Sequence, residues 1–341
     1  MIKRVINEEQ TKKLKQLIAD AKNIVITCHM SPDGDAVGSS LGLMHVLRTM
    51  GKYTSVVTPD MVPVSLNFLP GVKSIVVYTR QELLAKQLVK EADLIICLDF
   101  NALYRIDRFA PVIGQAKATK VMIDHHLDPE NFTDLCISYP HMSSTCELLY
   151  NAIVLTGMKR FLNYNSATCI YTGMMTDTGN FTYNSNNSDL YIIIAELLKY
   201  GIDKDYIYNT AMNTFSADRL RLMGYAMSEK MEVFPEVGGA IIELTREELY
   251  RFNYQKGDTE SLVNKPLSIP GIYWSIFLRE DADYIKVSAR STGDFAVNGY
   301  CEQYFSGGGH KNAAGGEFIG TIEDARKQVL QIVEDLKSNK H

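Results

Sequence analysis

A chain of 341 residues with 46% hydrophobic and 22% charged residues is ordinary globular material, too long to favour one core, so two domains are expected. Its 35 Lys and Arg against 40 Asp and Glu give a net charge of -5, which argues against an electrostatic wrapper for long duplex nucleic acid. The six cysteines, Cys28, Cys97, Cys136, Cys146, Cys169 and Cys301, form no C-x-x-C pair. With no signal-like N-terminus and no apolar run near the roughly 18 residues needed to span a bilayer, the expectation is a reduced, soluble, cytoplasmic protein without a membrane partner.

Residues 5–23 read as an amphipathic helix, and NIVITCH reads as a buried strand ending at the turn SPDGD. A helix follows in AVGSSLGLMHVLRTMG, stopped by Gly51. Strands YTSVVT and SIVVY, helix QELLAKQLVKEA, and strands LIICLDF and KVMIDHH come next. Short apolar runs alternating with helices predict an α/β fold for residues 1–200, a largely parallel, doubly wound sheet with helices on both faces. After LYIIIAELLKYG, residues 201–231 read as a helical connector without a site-like cluster. Residues 232–341 read as a smaller α+β unit. Its pieces are strands GGAIIEL, GIYWSIFLRE and DYIKVSARS, a glycine cluster SGGGHKNAAGGEF, and the helix TIEDARKQVLQIVEDLKS. Neither an internal repeat nor a low-complexity tract is visible.

Chemistry concentrates at the predicted strand ends. The segment HMSPDGD places His29, Asp33 and Asp35 on one tight turn, with Gly34 relieving its crowding. Asp99 ends LIICLD; Asp124, His125 and His126 end KVMID; Asp177 lies in MMTDTGNF. Ligands of parallel α/β sheets gather at the carboxyl ends of strands, so these distant residues can converge. Carboxylates suit hard divalent ions, and imidazole in the set shifts the preference toward Mn2+ or another transition ion over Mg2+. Asp33, Asp35, Asp99 and Asp177 carry a formal charge that two divalent ions would balance. A two-ion cage suits phosphoryl displacement by an activated water. Each piece alone has an ordinary reading: a chance H-x-x-x-D-x-D, a helix N-cap, a structural histidine pair. One shared site accounts for all of them together. His45 and His141 read as structural.

The ordered set HMSPDGD, LDF, DHH and TDTGNF resembles the four motifs of the DHH phosphoesterase superfamily, with DHH literal at residues 124–126. With SARS at 288–291 and GGGHKNAAGG at 307–316, the chain resembles the group that joins a DHH domain to a DHH-associated domain, and within it the bacterial nanoRNase and pAp-phosphatase type. The resemblance covers nearly the whole chain. It implies that His29, Asp33 and a bridging Asp99 hold one ion, and Asp35, Asp99, His125 and Asp177 a second. His126 would face the phosphate, Asp124 would orient the histidines, and Arg105 would touch substrate. The run Ser143 to Thr145 would cap a helix near the site.

The second domain must supply cationic and backbone donors for the rest of a phosphorylated substrate. Arg290, Ser291 and His310, with Gly307, Gly308 and Gly309, resemble the nucleotide-binding face of the associated domain. Neither a Walker A loop nor G-x-G-x-x-G is present, so ATP and NAD are not indicated. The resemblance implies a hydrolase using two divalent ions, Mn2+, to cut short oligoribonucleotides to mononucleotides and 3'-phosphoadenosine 5'-phosphate (pAp) to AMP, with substrate clamped between the domains. Alternatives keep the chemistry and change the substrate: linear dinucleotides derived from cyclic ones, or pyrophosphate and polyphosphate. The GGGH segment argues against the pyrophosphatase branch, and a single-strand DNA exonuclease of the superfamily usually needs a further nucleic-acid domain. A non-catalytic nucleotide sensor would not need the complete ligand set. A homodimer stays open as an expectation, since no motif fixes the oligomeric state.

Overall fold

The apolar runs of the first half become neighbours in one parallel sheet. In the computed structural model, which describes residues 4–338, six strands form it: β1 (Asn23–Thr27), β2 (Tyr53–Thr58), β3 (Val76–Val77), β4 (Leu94–Leu98), β5 (Thr119–Asp124) and β6 (Leu135–Ser138). Their order is β3-β2-β1-β4-β5-β6 and every neighbouring pair is parallel. The order reverses between β1 and β4, which opens a crevice beyond their carboxyl ends, where such sheets take their ligands.

Strand alternation divides the apolar side chains between two cores, so both faces need helices. Ile24, Ile26, Ile96 and Leu98 join one core. Onto it pack α1 (Glu8–Asp20), α2 (Gly34–Thr49), α5 (Thr145–Leu155), α6 (Tyr164–Asp177), α7 (Ser188–Leu198) and α8 (Lys204–Met212), through residues such as Leu14, Val37, Leu148, Ile170, Leu190 and Ile207. Val25, Ile95 and Cys97 point the other way, to Ala85 and Val89 of α3 (Glu82–Glu91) and Ile113 of α4 (Ala110–Gly114). Against the sequence expectation, SIVVY yields only the two residues of β3, and LCIS supplies an additional edge strand. Both are half-buried edges whose short patterns carry little periodic signal.

The chain divides into two units with the boundary after Thr214. The stretch 201–231 holds two helices, α8 in the first unit and α9 (Ala217–Ser228) in the second. The second unit continues with β7 (Met231–Phe234), β8 (Gly239–Leu244), α10 (Arg246–Arg251), β9 (Trp274–Glu280), β10 (Ile285–Ser291), α11 (Asn298–Tyr304), β11 (Gly308–His310), β12 (Ala313–Phe318) and α12 (Ile322–Ser338). Its strand order is β11-β12-β10-β9-β8-β7, antiparallel except between β8 and β9. Val287 and Ala289 face a core with Cys301, Phe305 and Val329. On the other side, Ile242, Leu244 and Phe277 are covered by Leu222, Ala226 and Leu262. The glycine cluster, whose ordinary reading is a turn, is largely β11 and β12. At Gly307 a Cβ would lie 2.0 Å from the Gly315 carbonyl oxygen, so the residue is glycine because two backbones meet there.

The tightest helix contact is α2 against α6. A Cβ at Gly34 would lie 2.2 Å from Thr176 Oγ1, and one at Gly38 would lie 2.5 Å from the Cys169 carbonyl oxygen. Gly34 is therefore required by helix packing, whereas the sequence suggested turn crowding. Gly38→Ala should force the helices apart and lower stability by about 1–3 kcal/mol. Gly224→Ala in α9, where a Cβ meets nothing within 4 Å, should raise it by about 0.5–1 kcal/mol. Urea unfolding of each variant checks the pair; a Gly38→Ala midpoint at or above wild type would contradict the packing argument.

Candidate metal centre

β1 runs into Cys28 and His29, and the loop then reaches Asp33, the N-cap of α2, whose Oδ1 accepts from the amides of Asp35 and Ala36, both at 3.0 Å. Asp35 thus falls in the first turn of α2, buried to 1% exposure. Its two carboxylate oxygens take the amides of Thr145 at 2.6 Å and Cys146 at 2.9 Å, the first residues of α5. An anion set against a helix N-terminus meets unsatisfied amides and the positive end of the helix dipole. Gly173 of α6 makes room, since a Cβ there would lie 2.9 Å from Asp35 Oδ1.

Asp99 follows β4 with φ 63°, a left-handed conformation that costs a non-glycine residue strain. It lies at the middle of the cluster. His29 Nε2 is 3.4 Å from Asp99 Oδ2 and 3.7 Å from Asp33 Oδ1. His125 Nε2 is 3.7 Å from Asp99 Oδ1 and 3.5 Å from Asp177 Oδ2, the latter on the last residue of α6. Donor atoms of His29, Asp33 and Asp99 lie within 4.8 Å of one another, as do those of Asp35, His125 and Asp177 and those of Asp99, His125 and His126. All six residues expected to hold ions are therefore brought together, and His126 stands beside them.

The surrounding hydrogen bonds correct one expectation. Asp124 does not orient both histidines. Its Oδ1 accepts from His126 Nδ1 at 2.8 Å and its Oδ2 from the His126 amide at 2.8 Å, whereas His125 Nδ1 faces the Met142 carbonyl at 3.2 Å. A carboxylate can only accept, so His126 Nδ1 carries a proton and Nε2 is left for other work. One participant was not foreseen. Thr145 Oγ1 donates to Asp99 Oδ1 at 2.9 Å, beyond the helix-capping role that falls to Ser144. The run Ser143 to Thr145 was its signal in the sequence. Arg105 is half-buried, and its carbonyl accepts from the Met30 amide at 2.7 Å.

Burial and crowding shift the titration of the cage residues in opposite directions. Burial and the neighbouring carboxylates Asp99, Asp177 and Asp33 hold Asp35 well above the usual carboxylate range. Burial drives Asp177 up to about 7, with Asp99 adding to the shift and His125 opposing it. At His29 burial favours the neutral ring, but the bonds to Asp33 and Asp99 prevail and raise it to about 10. Asp99 moves the other way: burial would raise it, yet His29, His125 and His126 hold it far below its ordinary value. The donor set, carboxylate oxygens with imidazole nitrogens at mutually short range, fits divalent cations.

In the second unit, β10 alternates between its two faces. Lys286, Ser288 and Arg290 line a cavity of about 500 Å3 with Gly308, Gly315 and Glu317. Arg290 Nη1 donates to the Ala289 carbonyl at 2.9 Å and the Ala314 carbonyl at 3.3 Å. Ser291 falls on the opposite face, where its hydroxyl donates to the Phe295 carbonyl at 2.6 Å and accepts from Asn312 at 2.8 Å. Of the three glycines expected at a ligand, Gly308 lines the cavity. Gly307 and Gly309 pack against β12, Gly309 at φ 139°. His310 is exposed.

Metal loading should release protons. At pH 7.5 His29, raised to about 10, holds a proton that a ligand must give up, and Asp177, at about 7, holds part of another. Affinity should therefore rise with pH from about 6 toward 10. Calorimetry of Mn2+ binding in buffers of different ionisation enthalpy should find about one proton or more released at pH 7.5, and a value of zero would contradict this charge arrangement.

The sequence model described as DHH family, N-terminal domain, matches residues 23–174, and that of the DHHA1 domain matches residues 240–339. A bifunctional oligoribonuclease and PAP phosphatase NrnA from Thermus thermophilus is 30% identical over 313 residues, covering 92% of this chain and 89% of the relative. A probable bifunctional oligoribonuclease and PAP phosphatase NrnA from Streptococcus mutans is 28% identical over 314 residues, covering 91% and 95%. Among solved structures, an exopolyphosphatase-related protein from Bacteroides fragilis shares 49% identity and superposes with a TM-score of 0.96 over 99% of each chain. With both domain matches in order and a histidine and carboxylate cage at the strand ends, this chain belongs to the DHH family of phosphoesterases, with a C-terminal DHHA1 domain.

Proposed function

We propose that the chain is a two-ion phosphoesterase that hydrolyses short oligoribonucleotides to mononucleotides and removes the 3'-phosphate of pAp. The observation that carries the reading is the convergence of two donor groups, His29, Asp33 and Asp99 on one side and Asp35, His125 and Asp177 on the other, around a buried Asp99. The NrnA relatives, matched over nearly their whole length, supply the substrate class. His29, Asp33 and Asp99 would hold one ion, and Asp35, Asp99, His125 and Asp177 the other. The mixed carboxylate and imidazole set favours Mn2+ over Mg2+. When bound, two such ions lower the pKa of a water nucleophile and stabilise phosphoryl charge during in-line displacement.

The remaining residues have separate tasks. Asp124 fixes the His126 ring, leaving Nε2 to meet the phosphate. Thr145 restrains Asp99 through its hydroxyl and Asp35 through its amide. Arg105 offers a cation on the short 3-10 helix Leu103–Phe109 that follows Asp99. In the second unit, Arg290, Gly308 and His310 would bind the nucleotide. A second reading, hydrolysis of inorganic polyphosphate, draws on the description of the Bacteroides fragilis protein as exopolyphosphatase-related.

A product time course with a dinucleotide, a pentanucleotide, pAp, linear diadenylate, pyrophosphate and polyphosphate, each with Mn2+ or Mg2+, tests the choice. Mononucleotides from the short RNAs and AMP from pAp are expected, and activity confined to polyphosphate would replace the proposal with the second reading. Asp99→Asn should abolish turnover of every substrate, because both ions lose a ligand. More than about a tenth of the wild-type rate in folded protein would contradict the shared site.

Two further variants separate chemistry from substrate holding. His126→Ala should keep its metal content while kcat falls roughly 10²-fold or more, as when an electrostatic stabiliser is lost. Metal loss together with rate would make it a ligand. Arg290→Ala should also keep both ions but lose at least about tenfold in kcat/KM for a dinucleotide, the cost of a charge-assisted phosphate contact being about 1.5–3 kcal/mol. An equal loss on a small artificial phosphodiester would place Arg290 in the chemistry instead.

A further inference from the structure

The loop that carries His29 and Asp33 has no regular secondary structure, and two of its amides are bound from outside it. Met30 N–H donates to the Arg105 carbonyl at 2.7 Å. Ser31 N–H donates to Asp60 Oδ2 at 2.9 Å, a bond from the end of β1 to a side chain just past the end of β2. Ser31 sits at φ 49°, a left-handed conformation that a non-glycine residue keeps only where its surroundings impose it. Asp60 is itself tied down, because its carbonyl accepts from Thr58 Oγ1 at 2.8 Å at the end of β2. It belongs to none of the converging donor groups. Its carboxylate therefore acts on the loop and not on an ion.

The ligands are not supported equally. Asp35 and Asp177 stand on α2 and α6, and His125 follows β5 directly. Asp33 is locked at one end by its N-cap bonds. From His29 as far as Asp33 the stretch is held by the two outside bonds, by a local bond between His29 Nδ1 and the Met30 carbonyl at 2.8 Å and by the buried Pro32, and of the two outside bonds Asp60 makes the one that comes from a side chain. We infer that Asp60 is a positioning residue for the His29 and Asp33 half of the cage, so that it sets the affinity for one of the two ions; this rests on the two-ion reading above. The bond from the Ser31 amide to the Asp60 acceptor oxygen holds the left-handed turn that keeps His29 against Asp99. Without it, Ser31 relaxes and His29 loses register with Asp99, while the other donor group is untouched.

The test uses full-length wild type, Asp60→Ala and Asp60→Asn, the last keeping an acceptor oxygen without the charge. Hydrogen exchange of metal-free protein reads the bond directly: the Ser31 amide should exchange roughly tenfold faster or more in Asp60→Ala and near the wild-type rate in Asp60→Asn. Calorimetric Mn2+ titration reads the consequence. In Asp60→Ala one of two binding steps should weaken roughly 10- to 100-fold, the range for lost supporting bonds in metal sites, with the other within about twofold. Asp60→Asn should keep both steps within about threefold. Unchanged exchange and titration in Asp60→Ala overturn the inference. Equal weakening of both steps, or Asp60→Asn behaving like Asp60→Ala, also overturns it, because charge and not the loop bond would then be at work. If wild type binds fewer than two ions, the two-ion reading fails instead, and the exchange comparison alone decides whether Asp60 holds the loop.

Discussion

Four carboxylates crowded around one buried point repel one another, and the architecture of the first unit answers that repulsion. Two unit charges about 4 Å apart interact by about 4 kcal/mol even at an effective dielectric near 20. Asp99, at 2% exposure, cannot relieve its share through water. Relief comes from groups built around it: the Thr145 hydroxyl, which donates to it, and the imidazoles of His29, His125 and His126 close by. Asp35 is answered by helix amides, and burial among like charges holds the Asp35 and Asp177 carboxyls above their ordinary range. Such a cluster is held open for cations that would balance it fully.

Holding it open has structural consequences well away from the charges. Asp35 begins α2 and Asp177 ends α6, so both reach the carboxyl edge of the sheet only if the two helices run in close contact. Gly34, Gly38 and Gly173 permit that approach by removing the side chains that would collide. The same closeness delivers the N-terminus of α5 to Asp35. The position of the cage beyond β1 and β4 follows from the reversal of strand order between them, which leaves room no crossover helix fills.

The second unit applies a different rule. Val287 and Ala289 of its mixed sheet face a core, while the alternate positions of β10, Lys286, Ser288 and Arg290, form a polar stripe on the other face. Glycine and alanine on the adjoining strand β12 keep the cavity beside that stripe open. No helix among the described residues is long and apolar enough to cross a membrane.

Much of this was legible in the sequence. Apolar runs ending in His29, Asp99 and Asp124 announced a parallel sheet with its chemistry at one edge, because period and burial follow from residue type alone. The six cage residues were readable from residue type and order: His29, Asp99 and His125 follow strong strands, and Asp33, Asp35 and Asp177 lie in the motifs HMSPDGD and TDTGNF. What the sequence could not decide were relations set by other elements. That Asp124 serves His126 and leaves His125 to Met142, that Thr145 touches Asp99, and that Ser291 turns its hydroxyl into the core depend on strand register and helix approach. The glycines of GGGH read as ligand contacts, yet Gly307 and Gly309 answer the neighbouring strand, a contact visible only once β11 and β12 are paired. Local pattern therefore determined which residues carry the chemistry, while tertiary packing decided which partner each one meets, because a side chain's hydrogen bonds depend on backbones that the linear order does not bring together.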